Sequence, residues 1–204
     1  MSKPWDHRAA GRRPSATRER RRVLIVCEDS KSSRFYFQSF PIDPARAEVL
    51  TLGEGMNTDS LVTEAMQRAK TAAHDGHPYN EVWCGLDRDD FPQENYCRAF
   101  QLAGEHGINM AWANEAFELW YLLHFNYHDT CISRHDYRTK LRLSGLEYDK
   151  ADQDIYEKMK VQQAAALKFA HRLERYWNDT GTTWASDFPN ANVLPPASTG
   201  WWNS

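Results

Sequence analysis

Four short apolar segments, each followed by a longer amphipathic one, make up the first 125 residues of the chain. The apolar segments cover residues 23–27, 47–52, 81–86 and 108–113, and turn-forming or charged residues bound each of them. Apolar runs of this length between such boundaries are typical of buried strands. Between and after them, residues 33–40, 58–74, 92–106 and 114–125 carry apolar side chains at helical spacing.

Strands that alternate with helices are typical of α/β proteins, in which right-handed crossovers make the sheet parallel. We therefore predict an α/β fold with a mainly parallel sheet of about four strands, covered by helices on both faces. If the predicted first and third strands are neighbours, the residues that follow them lie at one edge of the sheet.

The second half of the chain follows a different pattern. Residues 133–143 and 149–177 show helical spacing, and the last 27 residues are rich in Asn, Thr, Gly and Pro and contain Trp184, Trp201 and Trp202. We expect this tail to dock its tryptophans on the body, because exposed apolar groups promote aggregation. The predicted divisions are a flexible basic arm at 1–21, an α/β core at 22–126 and an α-helical C-terminal extension with the tail at 127–204.

Charge is distributed unevenly along the 204 residues, whose net charge is −3. Through Arg22 there are eight basic and two acidic side chains, which leaves a net charge of −9 on the remainder. A basic arm on an acidic body is seen in nucleic-acid-binding proteins. A solvated, disordered tail that only maintains solubility is the alternative. The candidate nucleic-acid contacts of the arm are Arg12, Arg13, Arg18, Arg20, Arg21 and Arg22.

Several classes of protein are disfavoured by what the sequence lacks. No apolar run approaches the ~20 residues that cross a bilayer, and the basic N-terminus has no apolar segment of a secretory signal. The four cysteines form no C-x-x-C pair, which favours free thiols in a reducing cytoplasm. No Walker-type phosphate loop occurs, so any dependence on ATP would come from a partner.

Acidic residues follow two of the predicted strands. Glu28 ends the first strand, and Asp87 and Asp89 end the third. Ligands of open α/β sheets bind beyond the carboxyl ends of the strands, and carboxylates gathered there repel one another. Mg²⁺, which prefers oxygen ligands, would offset that repulsion, with Glu28 as a ligand or as the base that activates water. Lys31 would neutralise charge on a phosphate, whereas Asp89 and Asp90 as caps of the next helix are the alternative reading.

Two further groups are candidate sites. Asn114 and Glu118 are four residues apart on a predicted helix that follows the fourth strand, which favours a role in ordering the site or binding substrate over a purely structural one. The second group has spacing that can hold zinc, although no paired cysteines accompany it, and a helix end with histidines near its C-terminal dipole is the alternative. This second group consists of His124, His128, Asp129, Cys131 and His135.

Several of these residues together resemble a known family. Glu28-x-x-Lys31 follows the first strand, Tyr36-Phe37 lies in the next helix, and D-x-D occurs at Asp87 and Asp89. Residues 114–125 read N-x-x-F-E-x-W followed by L-L-H-F. This combination resembles the Toprim domain of RloB-like proteins over residues 22–125.

The resemblance implies a Toprim-like core with a Mg²⁺ (or Mn²⁺) site that acts on nucleic acid. Glu28 would be catalytic and bind metal, and Asp87 and Asp89 would bind metal. Lys31 and Glu118 are further catalytic candidates, and Asn114 and Arg88 are candidates for binding substrate or ordering the site.

The implied function is a bacterial antiphage nuclease that cleaves DNA or RNA, commonly encoded beside an ATPase of the RloA type. The loop after Glu28 lacks two acids that the family often carries there. A catalytically silent adaptor that binds nucleic acid or regulates the ATPase is therefore the alternative. Self-association into a homo-oligomer is left open.

Overall fold

A computed structural model describes residues 21–29, 31–39, 47–51, 58–88, 92–180 and 191–192 of the chain. The strands are β1 (Val23–Cys27), β2 (Ala47–Thr51), β3 (Glu81–Arg88), β4 (Asn109–Asn114) and β5 (Ala191–Asn192). The helices are α1 (Ser32–Ser39), α2 (Thr58–His74), α3 (Gln93–Glu105), α4 (Glu118–Leu123), α5 (Tyr137–Leu143), α6 (Ile155–Met159) and α7 (Gln163–Thr180), with a 3₁₀ turn at Lys160–Gln162.

The strands form one parallel sheet in the order β2-β1-β3-β4-β5. The α/β class, the parallel sheet and its flanking helices are thus confirmed. The described part of the sheet has five strands rather than about four, because two residues of the Asn- and Pro-rich tail add β5 beside β4. The predicted Toprim-like topology stays a prediction.

All five residues of β1 are buried. Its neighbours β2 and β3 run parallel to it, with Val23 opposite Ala47 on one side and Glu81 on the other. A continuous apolar run is expected for a parallel strand that is covered on both faces. The first and third strands are therefore neighbours, which brings the residues after them to one edge of the sheet.

Helices pack in two groups around this sheet. α2 packs on α3, β1 and β3, whereas α1 packs on α6 and α4 packs on α5 and α7. The ring of Tyr36 in α1 makes edge contacts with Phe117 and Trp120, so α1 and α4 share one apolar layer. The helical extension is therefore joined to the sheet through α1 and α4.

Two helix predictions differ from the structure. Residues 114–117 are not helical, because Asn114 still belongs to β4 and Glu115 adopts the left-handed conformation with a φ of 60°. The pattern predicted over 149–177 is divided into α6 and α7 by the 3₁₀ turn. By contrast, α3 ends as expected before Gly107, whose φ of 65° suits a residue just beyond a helix.

The amino end of the sheet holds Arg21 and Arg22 of the predicted arm. Arg21 forms an ion pair with Glu81 at the start of β3. The backbone N–H of Arg22 donates to Asn80 Oδ1 at 2.7 Å, and its guanidinium donates to the His77 carbonyl. That guanidinium also lies over the Tyr79 ring, 4.6 Å from the ring centre. These contacts fasten the start of β1 to the loop before β3.

The cysteines and the helices agree with two expectations from composition. Cys27 and Cys84 are buried free thiols, and Cys97 and Cys131 are free as well. Among the helices that the structure describes, none combines the length and the apolar character that a membrane span requires.

Candidate functional site: a carboxylate crevice

The crevice lies where the strand order reverses. β1 is joined through α1 to β2 on one side of it, whereas its other neighbour is β3. In open α/β sheets, ligands bind outside the carboxyl ends of the strands at such a reversal. Glu28 directly follows β1, and its N–H donates to the Gly85 carbonyl at 3.0 Å. Asp87 lies two residues further along β3, so both carboxylates belong to the same edge.

Asp87 is the electrostatic centre of the crevice. Burial raises the pKa of its carboxyl well above the ordinary value of 3.8, and the negative charges of Glu118, Asp29 and Glu28 raise it further. The charge of Arg134 opposes them. Three carboxylates close enough to act on a fourth repel one another, and a cation would relieve that repulsion.

Asp29 has a structural task at the start of α1. Its Oδ2 accepts a hydrogen bond from the N–H of Ser33 at 2.8 Å, and its carbonyl accepts one from the Ser33 hydroxyl at 3.0 Å. This is the usual way in which an aspartate satisfies the free N–H groups of a helix start. Asp29 therefore stabilises the start of α1.

Glu118 is buried, with 4% of its surface exposed. Its Oε1 accepts a hydrogen bond from the Ser32 hydroxyl at 2.8 Å and another from the Tyr148 hydroxyl. Those two hydroxyls are themselves 2.8 Å apart. Tyr121 of α4 holds the start of α1 in place by donating to the Ser32 carbonyl at 2.6 Å. A buried carboxylate needs hydrogen-bond donors, and here they come from α1 and the loop before α6.

Tyr148 is held in its protonated form. Burial is the largest cause of the raised pKa of its phenol, and the negative charge of Glu118 raises that pKa further. Tyr148 therefore remains a hydrogen-bond donor to Glu118 across the whole physiological range. The carboxylate of Glu118 is thereby oriented by residues 86 and 30 positions away along the chain.

Arg134 joins the extension to the crevice. Its backbone N–H donates to Glu115 Oε2 at 2.7 Å, and its Nη2 donates to the Glu115 carbonyl at 2.8 Å. The left-handed conformation of Glu115 turns that carbonyl out of the β4 ladder. Arg134 is thus the cation that the fold brings into the electrostatic reach of Asp87.

The remaining predicted residues divide by position. Lys31 is exposed directly before α1, next to Ser32 of the Glu118 network. Arg88 pairs in register with Asn114 at the carboxyl ends of β3 and β4, although their side chains lie outside the described part of the structure. Asp89 and Asp90 also lie outside it, so both readings of Asp89 stay predictions.

The two described arginines of the arm lie away from the crevice. Arg21 and Arg22 lie at the amino ends of β1 and β3, the opposite edge of the sheet from the predicted metal ligands. Arg12, Arg13, Arg18 and Arg20 lie outside the described residues. The argument that Asn114 and Glu118 share a helix face is wrong, because Asn114 ends a strand and Glu118 begins the helix.

The zinc reading of the histidines is wrong. His124 is buried, and its Nδ1 lies 2.9 Å from the Trp120 carbonyl and its Nε2 3.2 Å from Gln163 Oε1. Burial lowers the pKa of His124, so its imidazole is neutral and serves to join α4 to α7. None of the described residues forms a group of three or more His, Cys, Asp or Glu side chains that could hold a metal ion.

For Mg²⁺, the donor chemistry at the crevice fits. Glu28 and Asp87 supply oxygen atoms, which hard divalent cations prefer. The raised pKa of Asp87 reflects its burial first, and then negative charges that the charge of Arg134 opposes. The third predicted ligand, Asp89, lies outside the described residues. The structure therefore describes two of the three predicted ligands.

Sequence reasoning missed four contributors to the crevice: Ser32, Tyr121, Arg134 and Tyr148. No motif spacing connects them, since the hydrogen bonds from Tyr121 and Tyr148 to Ser32 span 89 and 116 residues. A usable signal existed only for Ser32, which follows Lys31 in the predicted loop. The others lie among ordinary core or loop residues.

Comparison with known proteins agrees with the sequence motifs. No curated protein sequence matches the chain. The crystal structure of a sigma-54 interaction domain protein from Enterococcus faecalis aligns with 62% of this chain and 90% of its own, at 13% identity and a TM-score of 0.31. That likeness is too weak to support any argument about fold or function. The family model of the RloB-like proteins matches residues 23–193, most of the 204 residues, and the chain therefore belongs to the RloB-like family.

Proposed function

We propose that the protein hydrolyses phosphodiester bonds of DNA or RNA with the help of Mg²⁺ or Mn²⁺, as a Toprim-type nuclease of bacterial antiphage defence. One observation carries the proposal. The carboxylates of Glu28, Asp29 and Glu118 all act on Asp87 at the carboxyl edge of the sheet, where α/β proteins bind their ligands. A site that gathers negative charge of this kind suits a cation and, through it, a phosphate.

The proposed ligands of the ion are Glu28, Asp87 and Asp89. When bound, Mg²⁺ would offset the charge of the phosphate and favour ionisation of the attacking water. Glu28 is positioned at the end of β1 to accept a proton from that water as an alternative to binding the ion. These assignments rest on strand-end position and on oxygen donor chemistry.

The other proposed residues orient the reactants. Glu118 is fixed by Ser32 and Tyr148, which suits a group that must keep one orientation beside Asp87. Lys31, exposed directly before α1, would contact a phosphate oxygen, and the positive end of the helix dipole favours an anion there. Arg88 and Asn114 follow in register at the same edge and would contact the substrate.

The test is to incubate the protein with DNA and with RNA in the presence of Mg²⁺ or Mn²⁺, beside an Asp87→Ala/Asp89→Ala variant. The matched control, Asp75→Ala/Glu105→Ala, also removes two negative charges, both exposed and both just ahead of the amino ends of β3 and β4. The proposal predicts cleavage by the wild type and the control only. Cleavage that survives the first double substitution would overturn it.

A second candidate function is an adaptor that binds nucleic acid, or regulates an ATPase of the RloA type, without cleaving. The observation that favours it is that two of the four carboxylates are occupied internally, since Asp29 caps α1 and Glu118 accepts from Ser32 and Tyr148. An adaptor would copurify with its ATPase, bind nucleic acid in EDTA and leave it intact in Mg²⁺ and Mn²⁺. A cytoplasmic location suits both candidates.

A further inference from the structure

A cavity opens beside Glu118. Its volume is about 320 Å³, and residues of the extension form most of its wall. That volume is within the roughly 300–1,000 Å³ of typical ligand pockets. The residues that matter for its chemistry are Glu118, Arg134, Arg138, Tyr148, Asp149 and Lys150. None of the catalytic roles proposed above uses the wall from Arg138 to Lys150.

Three cations line this cavity. Arg134 is anchored on Glu115 and opposes the charge of Asp87. Arg138, in the first turn of α5, and Lys150, in the loop before α6, are exposed, and neither has an ion-pair partner among the described residues. Two unpaired cations on the wall of one concave site favour an anionic ligand.

The two carboxylates in the wall are already engaged. Glu118 accepts hydrogen bonds from Ser32 and Tyr148, and Asp149 Oδ1 accepts the N–H of Ala151 at 2.8 Å. Three cations against two carboxylates leave the wall with a net positive charge. Of the positive groups, Arg138 and Lys150 have no ion-pair partner among the described residues and can contact a ligand.

A second cavity shares part of this wall. The second cavity, of about 430 Å³, shares Arg138, Tyr148 and Asp149 with the first and extends to Lys158. Lys158 is neutralised by Asp152 at 2.5 Å, so the positive charge is concentrated near Glu118. Glu147, Asp149 and Asp152 also line the second cavity, where acidic side chains outnumber basic ones, so the first cavity is the one that suits a phosphate.

We propose that Arg134, Arg138 and Lys150 bind a backbone phosphate of a nucleic acid strand. This contact positions the strand so that it passes Glu118 and reaches the carboxylate crevice. The proposal deepens the nuclease function and rests on it for the position of the reacting phosphate. Binding itself requires no metal. Arginine and lysine contacts to phosphates are insensitive to base sequence, so the subsite fixes the strand without selecting bases.

The test measures binding in EDTA, which separates it from cleavage. Fluorescence anisotropy follows fluorescein-labelled single strands of DNA and RNA, each of about 15 nucleotides, the upper range for one binding module. The proteins compared are the wild type, Arg138→Ala/Lys150→Ala and the matched control Arg142→Ala/Lys168→Ala. The control also removes two exposed cations, one of them from α5, that lie outside both cavities. Thermal melts verify that all three are folded.

We expect the cavity variant to bind about tenfold or more weakly, and the slope of log affinity against log salt to become shallower by about 1.4, the value for two lost contacts to a single strand. The control should stay within about twofold of the wild type. Equal losses in both variants, an unchanged salt slope or no binding by the wild type would overturn the inference.

Two further arms identify the ligand and separate the proposals. If AMP displaces the strand at concentrations near the strand's own Kd, the subsite binds mononucleotides and the strand assignment is wrong. Failure of the nuclease proposal would instead appear as binding in EDTA that depends on Arg138 and Lys150, with no cleavage by the wild type in Mg²⁺.

Discussion

The two ends of the parallel sheet handle charge in opposite ways. At the amino end, Arg21 pairs with Glu81, and Arg22 is held by Asn80, His77 and Tyr79. At the carboxyl end, Asp87 is surrounded by Glu28, Asp29 and Glu118, and Arg134 opposes only part of their effect. Opposite charges are thus paired at the amino end of the sheet, whereas negative charge is in excess at the carboxyl end.

The difference separates stability from function. Paired charges at the amino end stabilise the contact between β1 and the loop before β3, and they require no ligand. Like charges at the carboxyl end destabilise the fold, and such an arrangement persists in proteins mainly where a site needs it. The predictions below test that contrast, from the largest expected effect to the smallest.

The largest effect is expected from Asp87→Asn. Because the amide is a poorer ligand and base than the carboxylate, cleavage should fall by about 100-fold or more, beyond the 10–100-fold of substitutions outside the ligand shell. The measurement is the initial rate of nucleic acid cleavage in Mg²⁺, with correct folding verified by circular dichroism. Cleavage by this variant at the wild-type rate would show that Asp87, at the carboxyl end of the sheet, takes no part in the reaction.

Next in size is the loss of one donor to Glu118. Tyr148→Phe leaves a buried carboxylate with fewer hydrogen bonds, and we expect it to lower the free energy of unfolding by about 2 kcal/mol, a value typical of hydrogen bonds to charged groups. Urea denaturation measures it. Tyr176→Phe is the control, because Tyr176 is exposed. Equal stability of the two variants would show that the Glu118 network contributes nothing to the fold.

The carboxyl end should also set a pH dependence. Folding raises the pKa of Asp87 above 3.8, so between that value and its folded pKa the folded protein binds a proton that the unfolded chain has released. Stability must therefore fall as pH rises through this window, by no more than about 1.4 kcal/mol per pH unit for one group. The Asp87→Asn variant has no carboxyl group at this position and therefore lacks this contribution to the pH dependence of stability.

Urea denaturation in EDTA at several pH values from 4 upward compares the two proteins. The stability of Asp87→Asn relative to the wild type should increase with pH across that window. Parallel profiles would contradict the assignment of unbalanced charge to Asp87.

The smallest effect is expected at the amino end. Glu81→Gln breaks the ion pair with Arg21, whose side chain is 63% exposed, so the cost should be about 0.2–1 kcal/mol. Cleavage should be unchanged, because this residue lies at the opposite edge from the crevice. A loss of activity without a loss of stability would break the contrast between the two ends.

Much of the fold could be predicted because burial leaves a direct record in the sequence. The apolar runs at β1 and β3 identify strands covered on both faces, and their acidic ends identify the crevice. The position of Asn114 could not be predicted, because helical spacing continues into residues 114–117. The conformation there is decided by Glu115 and its bonds to Arg134, a residue 19 positions away.

The candidate site was predictable in its carboxylates and not in their partners. Glu28 and Asp87 follow strands, so sheet geometry brings them together. Ser32 and Tyr148 meet only through the folding of the extension over α1 and α4, which no local pattern encodes. The spacing of the histidines likewise could not show that the His124 ring lies between the Trp120 carbonyl and Gln163 Oε1.

The burial of α4 has a consequence for synthesis on the ribosome. All six residues of this helix are buried, and α7 packs on it from the far end of the extension. A nascent chain that has emerged only through α4 therefore exposes Leu119, Trp120, Leu122 and Leu123. At roughly 5–20 residues per second, the next 50 or so residues take about 3–10 s to follow. Throughout that interval, the emerging chain is a substrate for chaperones.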